Sequence, residues 1–267
     1  MKEQALALVR GIDDPGLAVN RLREYLQCLV LRTFHESEAF TSMALVGGTA
    51  LRLLHDLPRF SEDLDFSLLS AGGCTGREWM IRVKRDLAFA GFQVDVTWNE
   101  RHVVNVGWVR VAALLREAGQ TAMPAEKLSI MVKIDTNPPI GARTEKRVVT
   151  RYVTFLLHHH DLPSLMAGKI AAVLTRKYTK GRDWYDLVWY LSHRPPVAPN
   201  LELLSNALEQ ARGRGHGDAA DWPSLVRERL AALDVDAVAR DVRPFLERPE
   251  EARLLTRDNL AGLLRRS

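Results

Sequence analysis

Apolar residues recur along this chain with two different periods, and the change between them falls near residue 160. Between Ala18 and Phe34, Leu22, Tyr25, Leu26, Leu29 and Val30 keep the i, i+3, i+4, i+7, i+8 spacing of an amphipathic helix. From Met43 the period shortens. Met43-Ala44-Leu45-Val46 reads as a short buried strand stopped by Gly47-Gly48, followed by a short helix, Thr49–His55, opened by Thr49. Leu64–Leu68 reads as a strand and Arg77–Ala90 as a helix. Val94, Val96 and Trp98, then Val104, Val106 and Trp108, alternate with mostly polar neighbours as two half-buried strands do. Asn99-Glu100-Arg101-His102 between them reads as a hairpin turn, which makes the pair antiparallel. Leu128–Asp135 is another strand, ended by Thr136-Asn137-Pro138-Pro139, and Val148–Leu157 a further one.

Beyond this point nearly everything reads as helix: Leu162–Lys177, Arg182–Ser192, Leu201–Ala211, Pro223–Leu233, Val235–Leu246 and Arg257–Leu264. Arg194-Pro195-Pro196 and Gly213-Arg214-Gly215-His216-Gly217 supply breaks, the latter as a flexible loop that could touch RNA. The expected architecture is an α/β domain with a mixed sheet over residues 1–160, then a helical domain over 161–267 that completes the active-site cleft.

Composition narrows the class. With 267 residues, 46% hydrophobic and 26% charged, the chain is neither collagen-like, disordered nor a coiled coil. Its longest apolar runs, such as Phe155-Leu156-Leu157, fall far short of the ~20 residues that cross a bilayer. Met1-Lys2-Glu3-Gln4 leads into no secretory signal pattern, so a soluble cytoplasmic chain with no membrane partner is expected. Thirty-seven basic against 33 acidic residues give +4 and a pI near 9.2, which permits a nucleic-acid partner without requiring one. Cys28 and Cys74 fit no disulfide framework or thiolate zinc site and read as buried free thiols.

The candidate chemistry is concentrated. A strand ending in Gly47-Gly48 and opening a helix at Thr49 brings backbone N–H groups and a positive helix end to one point, which suits a phosphate. Asp63 and Asp65, two apart on a strand, share one face while Leu64 and Phe66 take the other; side by side they repel unless a cation lies between them. Asp135 ends a strand on which Ile130, Val132 and Ile134 take one face and Met131, Lys133 and Asp135 the other. As a third carboxylate it would complete a metal-binding triad; otherwise it is a turn former. Lys169 and Arg176, seven apart, share a helix face and could meet phosphates, or merely snorkel. In Arg182-Asp183-Trp184-Tyr185-Asp186-Leu187, Asp183 and Asp186 share a face away from the apolar stripe, although Asp183 also suits a helix first turn. His158-His159-His160 places successive side chains on opposite strand faces and reads as a domain junction, not a ligand set. The six tryptophans are scattered at core-like positions.

Taken in order, Gly47-Gly48-Thr49-Ala50-Leu51-Arg52, then Arg59-Phe60-Ser61-Glu62-Asp63-Leu64-Asp65-Phe66, then Lys169 and Arg182-Asp183-x-x-Asp186 resemble the AbiEii/MenT nucleotidyltransferase toxin family, over residues 44 to 190. Thirteen residues between Thr49 and Asp63 is long for nucleotidyltransferases generally but suits this branch. The resemblance implies a polymerase-β-like nucleotidyltransferase core followed by a helical domain. It assigns Asp63, Asp65 and Asp135 to magnesium or manganese, with Asp135 also positioning or deprotonating the acceptor hydroxyl. Gly47, Gly48, Thr49, Arg52, Lys169, Arg176, Arg182 and Asp183 would meet the nucleoside triphosphate, with Lys169 and Asp186 also at the catalytic centre. The implied activity moves a nucleotide, a pyrimidine by this reading, from its triphosphate to an RNA 3′ end, tRNA foremost, blocking growth until a neighbouring antitoxin intervenes. Transfer to a protein hydroxyl, a metal-dependent nuclease and an inactive binding module are the competing readings. The glycine cradle counts against the nuclease and the intact acids against the inactive module.

Overall fold

Every residue except 70–74, 124, 213–217 and 267 is described by a computed structural model of the chain. Two units form. One comprises Met1–Asp56, Phe60–Pro138 and Glu145–His159; the other takes His160–Ser267 with two earlier excursions, Leu57–Arg59 and Pro139–Thr144.

In the first unit α1 (Lys2–Leu8) precedes α2 (Pro15–Glu36). Asp14 fixes the start of α2: its carboxylate accepts from the amides of Gly16 and Leu17, and Pro15 brings a helix-ready φ to the first position. The expected stripe Leu22, Tyr25, Leu26, Leu29 and Val30 is buried. Then follow β1 (Met43–Val46), α3 (Gly47–Leu54), β2 (Leu64–Leu68), α4 (Gly76–Phe89), β3 (Gln93–Asn99), β4 (Val104–Ala112), the single turn α5 (Leu114–Glu117), β5 (Leu128–Asp135), β6 (Thr144–Val149) and β7 (Phe155–His160). The seven strands make one sheet in the order β3-β4-β5-β2-β1-β7-β6. It is mixed: β1 runs antiparallel to β2 and parallel to β7, β2 parallel to β5, and β4 antiparallel to both neighbours. Met43, Ala44 and Leu45 are all buried, as a central strand covered on both faces requires. The α/β class expected of the sequence stands.

Three local expectations are corrected. The hairpin β3–β4 is antiparallel, but on β4 the buried positions are Asn105, Val109 and Val111 with Gly107, so Val104, Val106 and Trp108 take the more open face. Gly107 lets the strand sit against Met80 and Trp98, an approach that conceals the true inward face from a hydrophobicity count. The stretch Val148–Leu157 is two strands, not one. The chain turns between them at Arg151 and Tyr152, whose guanidinium and hydroxyl both bond to the buried carboxylate of Glu24 on α2. Thr49 does not cap α3, which opens two residues earlier with Val46 at the N-cap position.

The second unit is helical: α6 (Leu162–Thr175), α7 (Gly181–Leu191), α8 (Leu201–Arg212), α9 (Trp222–Ala231), α10 (Val235–Val242) and α11 (Arg257–Leu264). Asp161 caps α6 through the Ser164 amide at 2.8 Å, and α6 ends at Thr175, two residues before Lys177. α10 stops at Val242 because Pro244 has no N–H to continue it, and Arg243–Phe245 tighten into a 3-10 turn. α7 lies so close to α10 that a Cβ on Gly181 would stand 2.2 Å from the Val238 carbonyl oxygen. The excursion Pro139–Thr144 is tied in by Asn200, whose Nδ2 donates to the Gly141 carbonyl at 2.8 Å. Among the described residues no helix is long and apolar enough to cross a membrane. Cys28 is free and buried, whereas Cys74 and the glycine-rich loop 213–217 lie outside the described residues.

Candidate active site

Strand β1 delivers the chain to Gly47, which holds φ +74°, a conformation that favours glycine. The neighbour across the sheet explains the need for a missing side chain: a Cβ there would meet Oδ2 of Asp65 at 3.3 Å. The antiparallel register that pairs Val46 with Asp65 therefore brings the start of α3 and a carboxylate together. Among the described residues no side chain caps α3, so the amides of its first turn lack the usual cap at a positive helix end. Gly48 and Thr49 are buried in that turn. The Thr49 hydroxyl donates to the Asp63 carbonyl at 2.5 Å and so fixes the backbone that carries Asp63.

Asp63 immediately precedes β2 and Asp65 follows on the strand, half open to solvent while Leu64 and Phe66 are buried. The residue facing Asp65 across the parallel β2–β5 ladder is Lys133. Its ammonium lies 2.5 Å from Oδ2 of Asp63 and 3.4 Å from Oδ1 of Asp65. Burial pulls the Lys133 pKa down, but the adjoining Asp65 and Asp63 carboxylates outweigh it and hold the amine above its usual value. Lys133 is the site residue that sequence reasoning missed. The alternation of β5 had already put it on the open face; the parallel register supplies its partners.

Asp135 lies on the same half-open face of β5 as Lys133. The same register sets it opposite Ser67, one strand repeat beyond Asp65, and its Oδ1 accepts from the Asn137 amide at 3.0 Å as a turn former. Among the described residues no group of three or more His, Cys, Asp or Glu is placed to hold a metal ion. Two carboxylates beside a helix N-terminus fit a magnesium-type ion, which takes one or two carboxylates and completes its shell with water and substrate phosphates. The Lys133 ammonium, standing between both acids, is direct testimony that a cation fits there.

A second cluster is built within the helical unit. Asp186 is fully buried and is gripped by the Arg59 fork, Nε to Oδ1 and Nη2 to Oδ2, both at 2.6 Å. Lys169, 9% exposed, reaches Oδ2 of Asp186 at 2.7 Å and Oδ1 of Asp183 at 3.0 Å. Arg176 completes the set with Asp183 Oδ2 at 2.6 Å. Burial alone would raise the pKa of Asp183; Lys169 and Arg176 override that and lower it. Asp183 and Asp186, three apart on α7, thus share the Lys169 ammonium. Arg176 departs from expectation, since α6 has ended and it projects from an extended C-cap.

The remaining nucleotide-binding candidates are engaged elsewhere. Arg52 is 3% exposed, its guanidinium paired with Glu24 and stacked on Phe60 at 4.6 Å. Arg182 lies over the Phe245 ring at 4.4 Å. His159 is buried in register with Leu45, and His158 Nδ1 bonds with the Phe40 carbonyl, as strand residues rather than ligands.

A family model described as nucleotidyl transferase AbiEii toxin, type IV toxin–antitoxin system, matches residues 29–259. A candidate nucleotidyltransferase from H. pylori has a similar crystal structure, with TM-score 0.56 at 21% identity over 91% of this chain and 92% of that one. MenT4, the nucleotidyltransferase toxin Rv2826c of Mycobacterium tuberculosis H37Rv, aligns with TM-score 0.52 at 17% identity over 98% and 99%. At these identities the two structures share the fold. No curated protein matches the chain in sequence.

Proposed function

The chain belongs to the AbiEii family of nucleotidyltransferase toxins, and from that premise we propose that it transfers a nucleotide, a pyrimidine, from its triphosphate to the 3′ end of an RNA, tRNA foremost. The observation that carries the reading is the meeting of the uncapped α3 start at Gly47 with Asp65 and Asp63. Phosphate oxygens bind at the α3 amides, and Asp63 and Asp65 would hold a magnesium or manganese ion. Bound there, the ion would neutralise charge on the phosphoryl group being transferred. Gly47 keeps the carboxylate of Asp65 close to the helix end, and Thr49 keeps Asp63 in place. Asp135, on the open face of β5 with Lys133, is assigned to the acceptor hydroxyl. The acceptor oxygen gives up its proton to Asp135 and bonds to the α-phosphorus, the bond to the bridging oxygen breaks, and pyrophosphate leaves with that electron pair.

Lys169 and Arg176 are assigned to the triphosphate, Asp183 and Asp186 to their placement. A pI near 9.2 and the exposed run from Arg176 to Lys180 support a phosphate-rich acceptor. The family implies a cognate antitoxin, encoded nearby, and action in the cytoplasm. Each labelled nucleoside triphosphate, incubated with the protein, magnesium and total RNA, tests the reading. Label is expected at the 3′ end of tRNA-sized product, strongest with a pyrimidine. Label on protein instead, or growth arrest while every cellular tRNA keeps an unextended 3′ end, would overturn it.

A further inference from the structure

Two neighbouring carboxylates, Asp63 just before β2 and Asp65 on it, repel unless a compensating charge lies between them. In this chain the compensation is built in: Lys133 stands opposite Asp65 in the β2–β5 register and touches one oxygen of each acid, Asp63 Oδ2 at 2.5 Å and Asp65 Oδ1 at 3.4 Å. A divalent ion bound to the same two acids would lie against a like charge. Ammonium and ion compete for the same electrostatic position, and the lysine is the one that can yield. Its four-carbon stem is flexible, and its side chain is 27% exposed, so a path toward solvent exists.

We propose that Lys133 is the resident cation of the site, holding Asp63 and Asp65 together in the metal-free protein, and that a divalent ion loads by displacing its ammonium. The inference rests on the metal-dependent reading above. It makes divalent affinity weaker than a bare carboxylate pair would give. A triphosphate arriving with the ion offers the displaced ammonium a new anionic partner, so loading and nucleotide binding favour each other.

The test uses the full chain without nucleotide. Mn2+ is titrated by electron paramagnetic resonance, and melting is followed with and without Mn2+, for wild type, Lys133→Met, Lys133→Arg and Asp63→Asn. Lys133→Met should bind Mn2+ at least about tenfold more tightly, because a competing charge worth more than ~1.4 kcal/mol has gone. It should also melt lower than wild type without Mn2+ and gain more from its addition. Lys133→Arg, which keeps the charge, should stay within about threefold of wild-type affinity. Unchanged or weaker Mn2+ binding by Lys133→Met overturns the inference, as does a Lys133→Met chain that remains unfolded at saturating Mn2+. Wild-type binding that is absent, or indifferent to Asp63→Asn, brings down the metal reading itself. Asp63-dependent wild-type binding with no gain in Lys133→Met brings down the inference alone.

Discussion

Individual side chains divide into those that face chemistry and those that hold them. Asp63 and Asp65 are partly exposed and share Lys133, so Asp63→Ala removes one half of a partly solvated pair. Activity should fall at least about 100-fold, since loss of a metal ligand removes several kcal/mol of transition-state stabilisation. Stability should change by less than about 1 kcal/mol, the usual scale for such pairs. Near-wild-type turnover, with folding verified by circular dichroism, would exclude the acid from the site. Lys169 differs because it is buried between Asp183 and Asp186. Lys169→Ala should therefore lower both nucleotide turnover and melting temperature, and Lys169→Arg should rescue turnover only in part because a planar fork does not replace a compact ammonium. A melting loss with unchanged KM and kcat would make the residue purely structural. Asp183 adds a pH signature. Its folded pKa lies below the ordinary 3.8, so its ion pairs stabilise fully above that value and are lost as the pH falls through the lower folded one. Acid unfolding should thus steepen below about pH 4 in wild type, and an Asp183→Asn profile as steep as wild type over that window would contradict it.

At the scale of elements, the strands that place the acids were largely legible. Leu128–Asp135 emerges with its expected bounds and alternation, and Arg257–Leu264 with its expected ends. What stayed hidden has physical causes. Lys133 cannot be assigned to the two acids from its own strand pattern, because register belongs to the neighbour; only the pairing of Asp65 with Lys133 brings its ammonium to them. The break between β6 and β7 carries no glycine or proline, being held by Glu24 some 127 residues away in sequence. The same limit applies to Gly181, unremarkable in sequence yet pressed against the backbone of α10. Gly181→Ala forces its methyl to within 2.2 Å of the Val238 oxygen, and the bond from its amide to Asp241 at 2.6 Å must shift as well. Such overpacking costs about 1–3 kcal/mol. Chemical denaturation should register that loss; a variant as stable as wild type would mean that α10 gives way freely.

For the molecule as a whole, the shift from mixed pattern to helix near residue 160 was visible, but the return of earlier segments to the helical unit was not, because a three-residue excursion leaves no periodic trace. Leu57–Arg59 nevertheless supplies the guanidinium that grips Asp186, and Pro139–Thr144 contributes the Gly141 carbonyl held by Asn200. A fragment beginning at His160 lacks both. Losing one partner of a buried pair costs about 3–5 kcal/mol, a large share of a domain's stability, so the fragment should show no cooperative melt. A sharp thermal transition in it would show that Lys169 suffices for Asp186.

Synthesis meets this arrangement in a fixed order. Arg59 leaves the ribosome 127 residues ahead of Asp186, so for most of translation the nascent chain carries a charged hook whose catch has not been made. The helical unit is therefore sealed from its beginning rather than its end: only a chain long enough to contain α7 closes it, and a prematurely released one cannot. A chain released before α7 therefore keeps Arg59 without its buried carboxylate, and its partial helical unit lacks that lock.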